Sequence, residues 1–179
     1  MRIIGGKYKG RVIEIKRNFH ARPTTDFARE GLFNILSNIF DFTDLSILDL
    51  FGGTGSISFE FASRGCTSVD IVEIDIHALR SIQSTVSHLG LTGINIIRAD
   101  VFRYIKSCHR KYNIVFADPP YSLKSIPEIP ALIFNSDLLA KNGLFILEHP
   151  KNFDFANDQH FYEHRRYGNV HFTFFREKE

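Results

Sequence analysis

The chain has 179 residues, the size of one ordinary domain, and 44% of them are hydrophobic, which excludes a disordered polymer. It contains no apolar run of roughly 18 residues and no signal-peptide segment, so neither a membrane protein nor a secreted one is expected. Cys66 and Cys108 lack zinc-ligand spacing and are predicted to be free thiols in the cytoplasm.

The first 30 residues carry an excess of positive charge. They contain eight Lys and Arg against three acids, a net charge of +5, whereas the whole chain carries +2. Glycines at positions 5, 6 and 10 predict a basic β-hairpin in which residues 2–4 pair with residues 11–15. Such an arm on a mildly acidic body indicates a polyanionic partner, with a solvated lysine-rich loop as the alternative. The residues predicted to contact phosphate groups are Arg2, Lys7, Lys9, Arg11, Arg17 and Arg22.

Strands and helices alternate along the rest of the chain. Thr24-Thr25-Asp26 offers capping oxygen atoms to a helix over 27–40, whose apolar residues recur at helical spacing. From residue 46, apolar runs alternate with helical patterns, which predicts an α/β fold with a doubly wound, mostly parallel sheet. Gly168-Asn169 predicts a C-terminal antiparallel hairpin. One domain over 1–179 is expected, with the basic arm over 1–25 and the core over 26–179. The predicted strands are 47–50, 69–72, 95–98, 113–117, 144–148, 161–167 and 170–176, and the later helices end at 64 or span 76–89, 101–107 and 127–139.

A glycine loop follows the first of these strands. Gly52, Gly53 and Gly55 allow a ligand to approach the backbone where the next helix begins. The third glycine of the dinucleotide-binding pattern is absent at Ser58. The carboxylate of Asp49, just before the loop, would repel a pyrophosphate but suits a ligand with an ammonium group.

Acids also follow the next two strands. Glu73, about 20 residues after the loop, is placed to accept two ribose hydroxyls, and Asp100 could accept from an adenine amino group. A glycine loop with three strand-end carboxylates fits a nucleoside joined to an amino acid, so S-adenosylmethionine is predicted rather than NAD. The predicted cofactor-binding residues are Thr24, Asp49, Phe51, Gly52, Gly53, Gly55, Glu73, Asp75, Asp100 and Val101.

The fourth strand ends in Asp118-Pro119-Pro120-Tyr121. Both prolines fix their own φ and lack an N–H group, and Pro119 favours an extended Asp118. A fixed carboxylate beside an aromatic ring suits a planar substrate that carries an amino group, with a proline-stiffened turn as the alternative. These four residues are predicted to be catalytic. No metal site is predicted, because the eight histidines are scattered.

Together these motifs resemble the bacterial 16S ribosomal RNA guanine-N2 methyltransferases. The resemblance implies a class I, Rossmann-like enzyme that methylates the exocyclic N2 of one guanine and leaves S-adenosylhomocysteine as product. It also implies a small ribosomal subunit, or its assembly intermediate, as substrate, and a monomer is expected. Two departures are Gly53, where alanine is common, and Thr85, where asparagine is usual. The matching residues run through nearly the whole chain, at 2–6, 22–26, 29–30, 32–34, 49–55, 60, 63–65, 73, 118–121 and 148.

The same residues leave three alternatives open. Asp118 and the Pro119 carbonyl are predicted to accept the N–H groups of the amine while Tyr121 stacks on the base, which fits adenine as well as guanine. A DNA adenine-N6 methyltransferase would need a DNA-reading domain, and a protein-glutamine N-methyltransferase would have no evident use for a basic arm. A non-catalytic RNA-binding assembly factor with this fold would bind subunits without transferring a methyl group.

Overall fold

The computed structural model describes residues 1–14 and 24–178. Among these residues are seven strands and five α-helices, with two short 3-10 helices at Phe42–Asp44 and Ile126–Glu128. The strands are β1 (Ser46–Asp49), β2 (Ser68–Glu73), β3 (Ile94–Arg98), β4 (Tyr112–Ala117), β5 (Leu139–His149), β6 (Phe161–Tyr167) and β7 (Val170–Phe175). The helices are α1 (Asp26–Ile39), α2 (Ser56–Ser63), α3 (Ile76–Leu89), α4 (Val101–Ser107) and α5 (Ile129–Phe134).

All seven strands form one sheet in the order β3-β2-β1-β4-β5-β7-β6. Strands β1 to β5 pair in parallel, whereas β7 is antiparallel to both β5 and β6. The predicted doubly wound, mostly parallel sheet with a C-terminal hairpin is therefore confirmed. Chain order reverses on either side of β1, and ligands of open α/β sheets bind beyond the carboxyl ends of the strands at such a switch point.

Apolar side chains cover both faces of this sheet. Helices α1, α2 and α3 pack on one face, where Phe33 and Phe61 meet edge to face at 4.8 Å between ring centroids. Helices α4 and α5 pack on the other face through Ile105, Ile129 and Ile133. Strands buried on both faces read as continuous apolar runs, which is why the sequence located most of them.

The predicted helix over 127–139 is wrong. The segment forms the 3-10 helix Ile126–Glu128 and then the short helix Ile129–Phe134. Pro130 divides it, because a proline has no N–H group to donate to the preceding turn. Ser136 then closes the last turn by donating its hydroxyl to a helical carbonyl at 2.7 Å.

Strand β5 is correspondingly longer than the predicted strand over 144–148. Its first residue pairs with Tyr112 of β4. Asn142-Gly143, a dipeptide that commonly marks a turn, lies inside this strand, where Asn142 has a positive φ of 61° and the register with β4 shifts. A bulge thus replaces the turn, because pairing with β4 continues on both sides of it.

The basic hairpin at the N-terminus is confirmed only in part. Its pairing consists of one isolated bridge between Arg2 and Val12, and Ile3 donates its N–H to the Arg11 carbonyl at 2.9 Å. Position 15, at the end of its predicted second strand, lies outside the described residues. A buried carboxylate on α2, Glu60, accepts the backbone N–H groups that follow the first strand of this hairpin. The hairpin is therefore fixed to the core rather than extended from it.

Candidate active site

Acids from four parallel strands meet at one edge of the sheet. Asp49 ends β1, Glu73 ends β2 and Asp118 directly follows β4. Glu148 lies one residue before the end of β5, and the register of β4 with β5 places it level with Asp118. The predicted convergence of strand-end acids is therefore present, with Glu148 as an additional member.

A pocket opens at this edge of the described structure. It lies between the loop after β1, the segment before α1 and the end of β4. Six predicted site residues line it, namely Thr24, Asp49, Phe51, Gly52, Gly53 and Asp118, together with Thr54, Ser56, Ile57 and Phe116. The predicted residues outside this lining are Gly55, Glu73, Asp75, Asp100, Val101, Pro119, Pro120 and Tyr121.

Glycine stands at the three positions of the loop for different physical reasons. A Cβ atom at Gly52 would come within 2.4 Å of the Ile71 side chain, and one at Gly55 within 2.5 Å of the Phe59 ring. Gly53 has a φ of +51°, and a Cβ there would meet no atom closer than 3.7 Å. Packing therefore requires the outer two glycines, while Gly53 leaves backbone open toward the pocket.

Asp49 is buried and is held by Ser58, the residue that stands where the dinucleotide-binding pattern has its third glycine. The hydroxyl of Ser58 donates to Asp49 Oδ2 at 2.7 Å. Burial raises the pKa of Asp49 to about 6, the Ser58 and Phe51 hydrogen bonds oppose this, and the nearby Glu73 adds to it. Ser58 thus fixes the direction of a carboxylate that faces the pocket.

Glu73 connects the loop to β2. Its Oε2 atom accepts the N–H of Gly53 at 2.8 Å, and its Oε1 atom accepts those of Ile74 and Asp75 at 2.7 and 2.8 Å. Three backbone donors hold the carboxylate still beside the glycine loop. Its predicted contact with ribose hydroxyls stays a prediction.

Asp75 and Asp100 cap helices in this structure. Asp75 accepts the N–H groups of His77 and Ala78, both at 2.8 Å, and Asp100 accepts the N–H of Arg103 at 3.0 Å. The Ala78 hydrogen bond lowers the pKa of Asp75. Helix capping accounts for both acids, and their predicted roles in cofactor binding, like that of Val101, stay predictions.

Glu148 joins three segments that are distant in the chain. It is only 3% exposed, and Thr24 donates its hydroxyl to Glu148 Oε2 at 2.7 Å. Burial raises the pKa of Glu148 to about 7, while hydrogen bonds from Thr24 and Tyr121 lower it. Thr24, which lines the pocket, is therefore held there by Glu148. Glu148 could have been identified by the same signal as the other acids, namely its position at the end of an apolar strand.

The loop Asp118-Pro119-Pro120-Tyr121 begins inside the pocket and ends at the surface. Asp118 is half-buried, Pro119 is buried and Pro120 is exposed. Tyr121 is 49% exposed, although its hydroxyl bonds Glu148. An anchored tyrosine with an accessible ring can serve as a stacking surface.

The electrostatics of the pocket are set by acids that face one another. Burial and the neighbouring Glu148 and Asp49 raise the pKa of Asp118 well above its ordinary value. Within the described residues, none of these three acids forms an ion pair. The pocket can therefore accept hydrogen bonds from an amine, attract a cation and hold a proton near neutral pH.

Four of the predicted RNA-binding residues lie on the docked hairpin. Arg2, Lys7, Lys9 and Arg11 are all exposed. Arg29, which contributes to the charge of the segment, is buried and donates to the Arg2 carbonyl at 2.8 Å and to Asp26. It is therefore part of the docking and not of the charged surface. Arg17 and Arg22 lie outside the described residues.

Neither a metal site nor a membrane-spanning helix is present among the described residues. No group of three or more His, Cys, Asp and Glu side chains there could hold a metal ion. No helix in that part of the chain is long and apolar enough to cross a membrane. Cys66 and Cys108 are free thiols, as predicted.

Comparison with known proteins identifies the family. Residues 1–176 match the model of a family described as conserved hypothetical protein 95. Ribosomal RNA small subunit methyltransferase D of Buchnera aphidicola subsp. Baizongia pistaciae is 33% identical over 148 residues, which cover 83% of this chain and 75% of that protein. The Escherichia coli (strain K12) protein of the same name is 29% identical over 148 residues, covering 83% and 74%. A solved structure described as putative methyltransferase yhhF from Escherichia coli has a TM-score of 0.85 and 26% identity, covering 100% of this chain and 99% of that one. The chain therefore belongs to this family, together with the ribosomal RNA small subunit methyltransferase D proteins, and the family resemblance of its motifs is confirmed.

Proposed function

We propose that this chain is an S-adenosylmethionine-dependent methyltransferase that modifies the exocyclic N2 of a guanine in 16S rRNA of the small ribosomal subunit. One observation carries the proposal. The end of β4 places Asp118 on the wall of the glycine-loop pocket, and the half-exposed Tyr121 follows three residues later. The names of the relatives support an rRNA substrate, and the exposed basic hairpin supports a polyanionic one.

The residues of the pocket fit S-adenosylmethionine. Gly53 leaves its backbone open to a ligand, and the carboxylates of Asp49 and Glu73 are held by Ser58 and by backbone N–H groups. Acids in these positions suit an ammonium group and ribose hydroxyls better than phosphates. When bound, this cofactor supplies a methyl group on a positively charged sulfur. Asp49, Glu73 and the loop would hold it, with Asp100 toward the adenine.

The loop after β4 would bind the amine that receives the methyl group. Asp118 and the Pro119 carbonyl would accept N–H bonds from the guanine N2, which orients a lone pair that is otherwise delocalised into the ring. Stacking on Tyr121 would hold the base, a contact worth about 1–3 kcal/mol in single-strand binders. Because its pKa is raised by burial and by Glu148 and Asp49, the Asp118 carboxylate can take the proton that the amine loses.

A gene deletion tests the proposal in the cell. Ribosomal RNA from the deletion strain is digested to nucleosides and analysed by mass spectrometry. N2-methylguanosine should decline by one residue per small subunit and return when the gene is restored. An unchanged level would contradict the guanine assignment. A decline in N6-methyldeoxyadenosine in the DNA of the same strain, or in methylglutamine in its proteins, would favour one of the rival methyltransferases.

The alternative outside enzymology is an RNA-binding assembly factor. It would bind small subunits without transferring label from labelled cofactor, so the purified protein distinguishes the two. A subunit substrate also implies that the protein acts in the cytoplasm, where subunits are assembled. The expected monomer stays a prediction that sedimentation of the purified protein would check.

A further inference from the structure

Glu148 projects its carboxylate from a rigid point of the sheet. Strand β5 lies between β4 and β7, and Glu148 pairs with Phe172 of β7. The imidazole of the next residue, His149, is hydrogen-bonded to the Thr173 hydroxyl at 2.8 Å. A core strand that is paired on both sides opens only with the core itself, so this buried carboxylate has a fixed origin.

Tyr121 is one of the two residues that donate a hydroxyl group to this carboxylate. Nearly half of Tyr121 is exposed. The two residues before it are prolines, which fix the direction of the chain but have no N–H groups with which to hold the loop. The ring can still turn about its own side-chain torsions. The hydrogen bond to Glu148 holds the hydroxyl end of the ring and so limits how far the ring can swing.

Thr24 is the second donor. Its hydroxyl donates to Glu148 Oε2 at 2.7 Å, and its buried side chain lines the glycine-loop pocket. The next residue, Thr25, accepts the N–H of Ala28 at 3.2 Å and caps α1, which fixes the segment that carries Thr24. Glu148 thus joins the wall of this pocket to the loop that follows β4.

Glu148 also lies beside Asp118. The register of β4 with β5 places the two acids level, and Glu148 contributes to the raised pKa of Asp118. Asp118 and Tyr121 are the two side chains proposed to contact the guanine. Glu148 adjoins both of them, but it is not among the residues that line the described pocket. A group in this place can set the geometry of the two contacts without contacting the base.

We propose that Glu148 is a positioning residue for methyl transfer. It acts through Tyr121, holding the ring so that a stacked guanine keeps its N2 within reach of Asp118, and Thr24 in turn holds the carboxylate. The inference rests on the proposed function, because it concerns how the guanine of that reaction is oriented. Direct displacement depends on alignment, so a loosened ring should slow the reaction more than it weakens binding.

Two substitutions of Tyr121 separate the ring from its anchor. Tyr121→Ala removes the stacking surface and should raise the Kd for purified small subunits, measured without cofactor, roughly tenfold, within the range for loss of one stacked base. Tyr121→Phe keeps the ring and loses only the hydroxyl. Its Kd should stay within about twofold of the wild type, while kcat for methyl transfer falls on the order of 10- to 100-fold.

Glu148 itself is tested by removing or keeping the acceptor. Glu148→Ala should lower kcat as Tyr121→Phe does. Glu148→Gln should restore most of this loss near pH 6, where the wild-type carboxyl is mostly neutral because its pKa is about 7. Because both Glu148→Ala and Tyr121→Phe break the same hydrogen bond, the double variant should have a kcat no more than about threefold below that of the slower single variant.

The opposite end of the sheet offers a matched control. Tyr112, the first residue of β4, donates its hydroxyl to the buried carboxylate of Asp70 at 2.7 Å. Tyr112→Phe breaks a hydrogen bond of the same kind away from the pocket. It should lower the free energy of unfolding but leave kcat and the subunit Kd unchanged. Denaturant unfolding of every variant checks that it is folded.

Two results would overturn the positioning role. One is that Tyr121→Phe and Glu148→Ala behave as Tyr112→Phe does, losing stability while kcat is unchanged. The other is that Glu148→Gln loses as much kcat near pH 6 as Glu148→Ala, which would mean that an acceptor at this position is not what holds the ring. Failure of the proposed function looks different, because the wild-type protein would then transfer no methyl group to guanine N2, and the inference would fall with it.

Discussion

Buried acids occur at both ends of the sheet, and they lie in opposite electrostatic surroundings. At the amino ends of the strands, Asp70 accepts hydrogen bonds from Arg110 at 2.8 Å, Tyr112 at 2.7 Å and Asn95 at 3.1 Å. We call Asp70 with these three partners the amino-edge cluster. It pairs its acid with a cation and satisfies the oxygen atoms, as a structural network does.

The carboxyl-edge cluster (Asp49, Asp118 and Glu148) instead places acids beside one another. Burial raises the pKa of all three carboxyls, and repulsion from Glu148 and Asp49 raises that of Asp118 further. Such an arrangement is unfavourable for folding and is therefore expected where function requires it. The buried acids at the two edges of the sheet thus differ in whether a cation is paired with them.

The largest expected effect is at the carboxyl edge. Asp118→Ala should lower kcat for methyl transfer on the order of a thousandfold, because the amine loses its fixed acceptor. Affinity for the cofactor, measured by calorimetry, should change less than about twofold. Asp118→Asn keeps one carbonyl acceptor and should retain measurable turnover. Full activity in Asp118→Ala would remove this residue from the mechanism.

The matching substitution at the amino edge should affect stability alone. Asp70→Asn breaks the ion pair with the half-exposed Arg110 and should lower the free energy of unfolding by about 2 kcal/mol. Denaturant unfolding measures this loss, and kcat of the folded protein should stay unchanged. Loss of kcat at unchanged stability would contradict the assignment of a structural role to the amino edge and a functional role to the carboxyl edge.

Glu148 predicts a pH effect with a definite sign. Because its pKa rises from 4.5 to about 7 on folding, the free energy of unfolding should fall as pH increases between these values. Glu148→Gln keeps an acceptor for Thr24 and Tyr121 but cannot ionise, so this fall should be smaller in the variant. Its kcat profile should also lose an ionisation near pH 7. An unchanged profile in both measurements would contradict the role given to this carboxyl.

The smallest expected effect on chemistry concerns the hairpin. Gly6 has a φ of +73°, and a Cβ there would lie 1.9 Å from the Ser63 carbonyl oxygen, so Gly6→Ala should displace the hairpin from α2. Gly10 has a similar φ of +84° with nothing within 4 Å, so Gly10→Ala is its control. Only the first variant should weaken subunit binding, and cofactor affinity should be unaffected in both. Equal binding by the two variants would mean that docking of the hairpin is irrelevant to RNA.

Local signals in the sequence account for most of the fold. Helix α3 ends at Leu89 as predicted, because Gly90 adopts a φ of +62° and caps it. The segment over 127–139 could not be predicted in the same way. Its end is decided by the pairing of Leu139 with Tyr112, a contact between residues far apart in the chain.

The features of the site likewise fall into those that local sequence predicts and those that depend on the folded structure. Asp49 and Asp118 were found because each directly follows or ends an apolar strand. The anchoring of Asp49 by Ser58 and of Glu148 by Thr24 and Tyr121 depends on folding and leaves no pattern in the local sequence. Asp75 and Asp100 show the reverse case. A helix cap and a ligand-binding acid occupy the same position after a strand, so the local sequence does not distinguish them.

The most direct test of the account is methyl transfer by the purified protein to small subunits from a deletion strain. After incubation with labelled S-adenosylmethionine, the rRNA is digested and the labelled nucleoside is identified. Wild-type protein and Asp70→Asn should both produce N2-methylguanosine at one residue per subunit, whereas Asp118→Ala should produce only a small fraction of this in the same time. Label in another nucleoside or in ribosomal protein, or equal transfer by Asp118→Ala, would contradict the account.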